Sequence, residues 1–257
     1  MWPFKKKTPV VENIKTSFTT VICIPGNWNN WDEFILSIVS ATNGDYIAAG
    51  KILMNNKSDK FFTLDFCEKD PKMQEAFSVA GSVTRMTQNC IDEVGNHKSV
   101  LYISAETGTL EDAEHIAYAT NAMLKAGGIA VKIETTGKAF EKTKWLNFFD
   151  KFEIANLYEM FVLDSISDTM GTVYSCGMHN LGYKDTIVSG EEFQSAVNLI
   201  SIFGYYQIID KPTIANNQTF SIAADAPIYK ISNELNQPNK GDEFFENPFG
   251  MWRLTKQ

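Results

Sequence analysis

The sequence predicts an α+β fold in which antiparallel or mixed sheet is covered by helices. Three observations carry that prediction. Runs of β-branched and aromatic residues alternate along the chain with apolar stripes at helical spacing. Thr109 with Asp112, and Ser189 with Glu192, stand like capping boxes ahead of the two longest stripes. Apolar residues make up 44% and charged residues 21%, the balance of a globular chain and not of a disordered, fibrous or polytopic one.

Residues 1–16 read as a flexible N-terminal tail and residues 17–257 as a single domain, since 257 residues suit one large unit or two small ones. A strand at 18–24 is stopped by Pro25-Gly26. Trp31, Phe34, Ile35, Ile38 and Val39 form a helical stripe closed by Asn43-Gly44. Strands follow at 46–54 and 61–67, and Asp70-Pro71 opens a helix interrupted at Gly81. After a strand at 99–104, Leu110, Ala113, Ile116, Ala117, Thr120, Met123 and Leu124 share one helical face, ended by Gly127-Gly128. Residues 129–134 read as a strand and 138–149 as a helix. Residues 158–163 and 171–178 read as the two arms of a hairpin. The helix that begins at Phe193 is apolar almost all round, which predicts a central position. Strand-like pieces at 219–222 and 228–231 lead to an aromatic ending, 243–254, that belongs in the core.

The order strand, helix, strand occurs at 19–54 and again at 99–134. Phe62-Thr63-Leu64-Asp65 is echoed by Phe161-Val162-Leu163-Asp164. These repeats predict two pseudo-repeated halves, 17–95 and 96–257, sharing one core.

Charge and cysteine usage exclude several functions. Acidic residues outnumber basic ones by 31 to 23, so no general field invites nucleic acid. No uncharged run reaches the roughly 20 apolar residues of a membrane span. No apolar stretch follows Lys5-Lys6-Lys7 as a secretory signal would require, so a cytoplasmic location is expected. Cys23, Cys67, Cys90 and Cys176 are scattered without a CxxC pair. They read as reduced thiols, with neither metal nor cofactor expected. Gly44 and Gly50-Lys51-Ile52 are wrongly spaced for a phosphate loop and lack the Ser or Thr that would hold magnesium. No GxGxxG, GxSxG or HExxH occurs either, which argues against a kinase, a Rossmann dehydrogenase, an α/β-hydrolase and a zincin.

The segment 175–185 concentrates what chemistry there is: Cys176, His179, Asn180 and Asp185 beside Gly177 and Gly182. One reading is a Cys176–His179 nucleophile pair with Asp185 or Glu134 orienting the imidazole. A continuing strand would point Cys176 and His179 to opposite faces, unless the glycines turn one of them back. The other reading is a buried thiol, two glycine turns and a histidine bonded to nearby backbone. Glu134 ends a strand before Thr135-Thr136-Gly137, where sheet edges can host ligands or simply meet solvent. His97 reads as a solvated loop residue. His115 follows Glu111 and Asp112 on a polar helix face. Trp145, Phe148, Phe149 and Phe152 line a groove or fill a core, and helical spacing favours the core.

Two functions follow. The first is a non-catalytic binding or protein-interaction module whose partner is a protein or a small molecule. The alternative is an unrecognised hydrolase or transferase using Cys176, His179, Asp185 and Glu134.

The run Gly127-Gly128-Ile129-Ala130-Val131 through Phe140, the run Tyr174 through Gly182 with Asp185, and the ending Asn247-Pro248-Phe249-Gly250-Met251-Trp252-Arg253-Leu254 share a pattern. Together they resemble an uncharacterised bacterial domain-of-unknown-function family. Its pattern is an alanine-rich helix leading into a GG-A-V strand, then a GM–LG–D segment and an apolar helix. The resemblance covers roughly residues 99–254. Lys184 stands where the pattern has a proline before the aspartate, so the shared rigid turn is lost. The resemblance implies a bacterial, intracellular setting and transfers no catalytic residue. An immunity-type or other small interaction role follows by analogy alone.

Overall fold

β1 (Phe18–Gly26) runs up the middle of a seven-stranded sheet in the computed structural model, which describes residues 18–257. The tail expected at 1–16 lies outside the described residues. After β1 come α1 (Trp31–Thr42), the short strands β2 (Tyr46–Ala49) and β3 (Ile52–Asn55), and β4 (Lys60–Glu68). Helices α2 (Met73–Ala80) and α3 (Gln88–Gly95) lead to β5 (Ser99–Thr107), α4 (Leu110–Lys125), β6 (Ala130–Ile133) and β7 (Lys138–Glu141). The strand order is β2-β3-β4-β5-β1-β6-β7, antiparallel throughout. β5 inserts between β1 and β4, while β1 inserts between β5 and β6. Two split βαβ units are thereby interleaved, each supplying the strand that fills the other's gap.

Local chemistry explains where the main helices begin. Asn30 accepts the Glu33 N–H at 2.9 Å to start α1, and Thr109 accepts the Asp112 N–H at 3.1 Å to start α4. Asn43, left-handed at φ 52°, ends α1. The apolar faces of α1 and α4 cover one side of the sheet, where Phe34, Ile38, Ile116 and Met123 meet Ile22, Ile24, Leu64 and Ile103. Strand alternation sends Cys23, Val100 and Ala130 to the other side, against Phe77, Ile91 and Val94 of α2 and α3. Each buried Val, Leu, Ile, Met or Phe among them contributes roughly 1.5–3 kcal/mol by leaving water.

A second sheet follows α5 (Lys142–Asn147) and α6 (Ile154–Phe161). Its strands are β8 (Leu163–Ser167), β9 (Thr172–Cys176), β10 (Asp185–Ser189), β11 (Thr219–Phe220), β12 (Tyr229–Glu234) and β13 (Met251–Lys256), with α7 (Phe193–Ile209) between β10 and β11. The order is β11-β12-β13-β10-β9-β8, and only β10 with β13 is parallel. The fold is therefore α+β, with one antiparallel and one mixed sheet. Met178, Leu181 and Ile208 from this second part join the principal core of the first. No helix among the described residues is long and apolar enough to cross a membrane.

Several expectations change. Residues 138–141 form β7 and not the start of a helix, because they pair with Ala130–Ile133 across a turn at Gly137, φ 74°. Of the strand expected at 158–163, residues 158–161 end α6, where Leu157, Tyr158 and Phe161 share a buried helical face, and Leu163 starts β8. Gly50, at φ 57°, divides the strand expected at 46–54 into β2 and β3. α7 is capped by Glu192, which accepts from Ser195 N–H, while Ser189 closes β10. That helix is not central: one face packs on the second sheet, and Phe193, Ile202 and Ile209 are 46%, 36% and 54% exposed. In the aromatic ending, Met251, Trp252 and Leu254 are buried in β13, whereas Phe244 is exposed. The division at 95/96 separates α3 from β5, inside one sheet. Phe62-Thr63-Leu64-Asp65 lies within β4, but its echo spans the end of α6 and the start of β8, so the two have different structures.

Candidate functional site

Gly177 and Gly182, at φ 123° and 82°, bracket a single 3-10 turn over Met178–Leu181. Both glycines are pressed against backbone. A Cβ would lie 2.0 Å from the Phe161 carbonyl at Gly177, and 2.0 Å from the Gly108 carbonyl at Gly182. The turn thus seats itself between the end of α6 and the start of α4, and it aims His179 and Asn180 inward.

Asn180 uses its whole carboxamide. Its Oδ1 accepts from the Thr20 hydroxyl at 2.6 Å and the Thr135 hydroxyl at 2.9 Å. Its Nδ2 donates to the Gly177 carbonyl at 2.9 Å and to Thr136 Oγ1 at 3.2 Å. His179 donates from Nε2 to the Thr135 carbonyl at 2.9 Å, since a carbonyl can only accept, and its ring packs 4.3 Å from that of Phe18. His179 Nδ1 stands 3.7 Å from Asp185 Oδ2 and has no hydrogen-bond partner among the described residues. Asp185 is otherwise well held. Oδ1 accepts from the Ser175 hydroxyl at 2.9 Å and from Met178 N–H at 3.3 Å, and Oδ2 accepts from Asn247 Nδ2 at 2.7 Å. Thr20, Thr135 and Thr136 belong to the first sheet and its hairpin, and the other partners to the second. The network therefore ties the two sheets together through buried polar groups whose unpaired state would be costly.

The four predicted site residues divide accordingly. His179 and Asp185 are brought together, at 0% and 1% exposure. Cys176 is adjacent in the chain and buried, but its thiol bonds the Phe245 carbonyl at 3.8 Å and not the imidazole. Burial, reinforced by Asp185, pushes that thiol well above its ordinary pKa, the reverse of what a nucleophile needs. Glu134 is elsewhere. It pairs with Lys132 Nζ at 2.6 Å, and its charge helps burial to raise the Cys23 thiol on the sheet face that α2 and α3 cover. The nucleophilic constellation is not assembled.

His97 corrects its expectation too. It is buried: Nδ1 donates to the Val94 carbonyl at 2.6 Å and Nε2 accepts the Asp70 N–H at 3.1 Å, pinning the end of α3 to the start of α2. His115 faces Glu111 at 3.6 Å on the helix surface. Trp145 is core, edge-on to Phe140 and Phe161. All four cysteines are free, and among the described residues no three His, Cys, Asp or Glu side chains converge as metal ligands.

Sequence reasoning missed one place where titratable groups meet open space. A cleft of about 160 Å³ lies between β7–α5 and α6–α7, lined among others by Lys138, Phe140, Lys144, Tyr158, Asp164 and Tyr205. Lys138 donates to the Glu159 and Val162 carbonyls at 2.6 and 2.8 Å, and burial pushes its pKa down to about 8. The Tyr158 hydroxyl donates to Asp164 at 3.2 Å, and burial pushes Tyr205 up to about 12. The only signal in the sequence was a lysine amid buried aromatics, and reading 138–149 as one helix hid it. No protein-family model matches this chain, and neither a curated protein nor a solved structure matches it.

Proposed function

We propose that the protein acts by binding a partner, either another protein or a small molecule, and not by catalysis through Cys176, His179, Asp185 and Glu134. One observation carries this reading: the residues that would perform the chemistry are sealed into the joint between the sheets or lie on another face. His179 is fully buried against the Phe18 ring and the Thr135 carbonyl, so a substrate could reach it only by displacing packed residues. The acidic surplus of 31 to 23 supports a partner other than nucleic acid. The four free thiols support a cytoplasmic setting. Kinship with the bacterial family that residues 99–254 resemble belongs to the same proposal and adds no activity to it.

Alkylation of the native protein with iodoacetamide at pH 7, read by peptide mass spectrometry, tests it. Cys67 is exposed and is expected to react, whereas Cys176 stays unmodified until the protein unfolds. Rapid, selective modification of Cys176 would favour the hydrolase or transferase alternative instead.

A further inference from the structure

We propose that the cleft between β7–α5 and α6–α7 binds a small anion, through its phosphate or carboxylate group, between Lys138 and Lys144. The proposal rests on the binding role argued above and names the site and the ligand chemistry.

The two ammonium groups stand over one aromatic ring, 5.4 and 5.9 Å from the centre of Phe140. Neither forms an ion pair among the described residues; their polar partners are backbone carbonyls. The carboxylates nearby are engaged with phenols. Asp164 accepts from Tyr158, and Glu159 stands beside Tyr205. The cleft therefore holds two ammonium groups with no direct ion pair, while Asp164 and Glu159 act on Lys138 from nearby. An added negative group would meet the free donors of the two lysines in competition with these carboxylates.

Lys138 is held in place for that task. Two of its three N–H groups are spent on the Glu159 and Val162 carbonyls at the end of α6, which leaves one donor. Lys144 is looser: its bond to the Thr84 carbonyl is 3.4 Å long. A fixed cation and a mobile one can close on an anion of varying size. Burial and the neighbouring Lys144 both disfavour the charged form of Lys138, while Asp164 and Glu159 favour it. A bound anion would offset the first two. The Ser201 side chain also lines the cleft and offers a hydroxyl donor. The cleft is small, about 160 Å³, which suits a phosphate or a short carboxylate group.

Calorimetric titration of the full chain at pH 7 and constant ionic strength provides the test, with inorganic phosphate in one arm and acetate in the other. Saturable binding in either arm is expected, and the tighter arm identifies the preferred group. Lys144→Glu lies on an exposed helix position and should fold. It should weaken that binding about 10–100-fold, as for loss of one charge-assisted hydrogen bond. Lys144→Ala, checked by its melt, serves if the charge reversal unfolds the protein. Absence of saturable binding by the parent up to millimolar anion, or equal affinity in the Lys144 variants, overturns the proposal. An unreactive Cys176 would then still uphold the binding role, so the two failures are distinguishable.

Discussion

Asn180 Oδ1 accepts a hydrogen bond from the Thr20 hydroxyl at 2.6 Å, joining residues 160 positions apart and two separate sheets. Thr20 also meets the Thr107 hydroxyl at 2.7 Å, so the contact reaches both central strands of the first sheet. A carboxamide suits this position because it offers two acceptor sites and two donors within one rigid plane. Each of the four is used.

Asn180→Ala should strip partners from Thr20, Thr135, Thr136 and the Gly177 carbonyl at once. Each buried group left unpaired costs roughly 1–3 kcal/mol, and some hydroxyls can turn to other acceptors. A net loss of about 3–5 kcal/mol is expected in urea unfolding at neutral pH. A loss below about 1 kcal/mol would show that the network contributes little to holding the sheets together.

Gly182 and Gly190 have nearly the same backbone angle, φ 82° and 80°, but different surroundings. A Cβ at Gly190 meets nothing within 4 Å, whereas one at Gly182 strikes the Gly108 carbonyl at 2.0 Å. Gly190→Ala should therefore cost only the left-handed strain, roughly 1–2 kcal/mol. Gly182→Ala should cost clearly more, because backbone on both sides must move. Thermal melts of the two variants read the difference, and equal melting temperatures would refute the steric argument.

Lys138 makes stability depend on pH in a known direction. Unfolded, it keeps its proton up to about 10.5, while in the folded chain burial lowers its pKa to about 8. Between those values the unfolded state binds more protons, so the folded state gains stability as pH rises and loses it again as pH falls through 8. The gain has an upper bound of about 3 kcal/mol. Comparison with Lys138→Met isolates it, because the other groups that line the cleft are present in both proteins. Denaturant midpoints from pH 7.5 to 10.5 should diverge in favour of the parent; parallel curves would contradict the assignment.

The sequence by itself determined the α+β class, helices α1 and α4, the break at Gly81 and the turns at Gly177 and Gly182. These features are local. A cap such as Asn30 or Thr109, an apolar stripe at helical spacing, or a glycine needed at positive φ acts within a few residues, so its cause is written next to its effect. Tertiary structure decided the rest. Residues 138–141 and 158–161 are runs of four, too short for either period to decide, and pairing with β6 or packing against α7 selected the outcome. The parallel partnership of β10 with β13 joins Asp185 to Met251, and no local signal encodes it. The site followed the same rule. Cys176, His179 and Asp185 were visible as a cluster in the chain, but whether such a cluster reacts or supports depends on what covers it. Phe18, Thr135 and Asn247, each more than forty residues away from His179, supplied the cover and made it a joint.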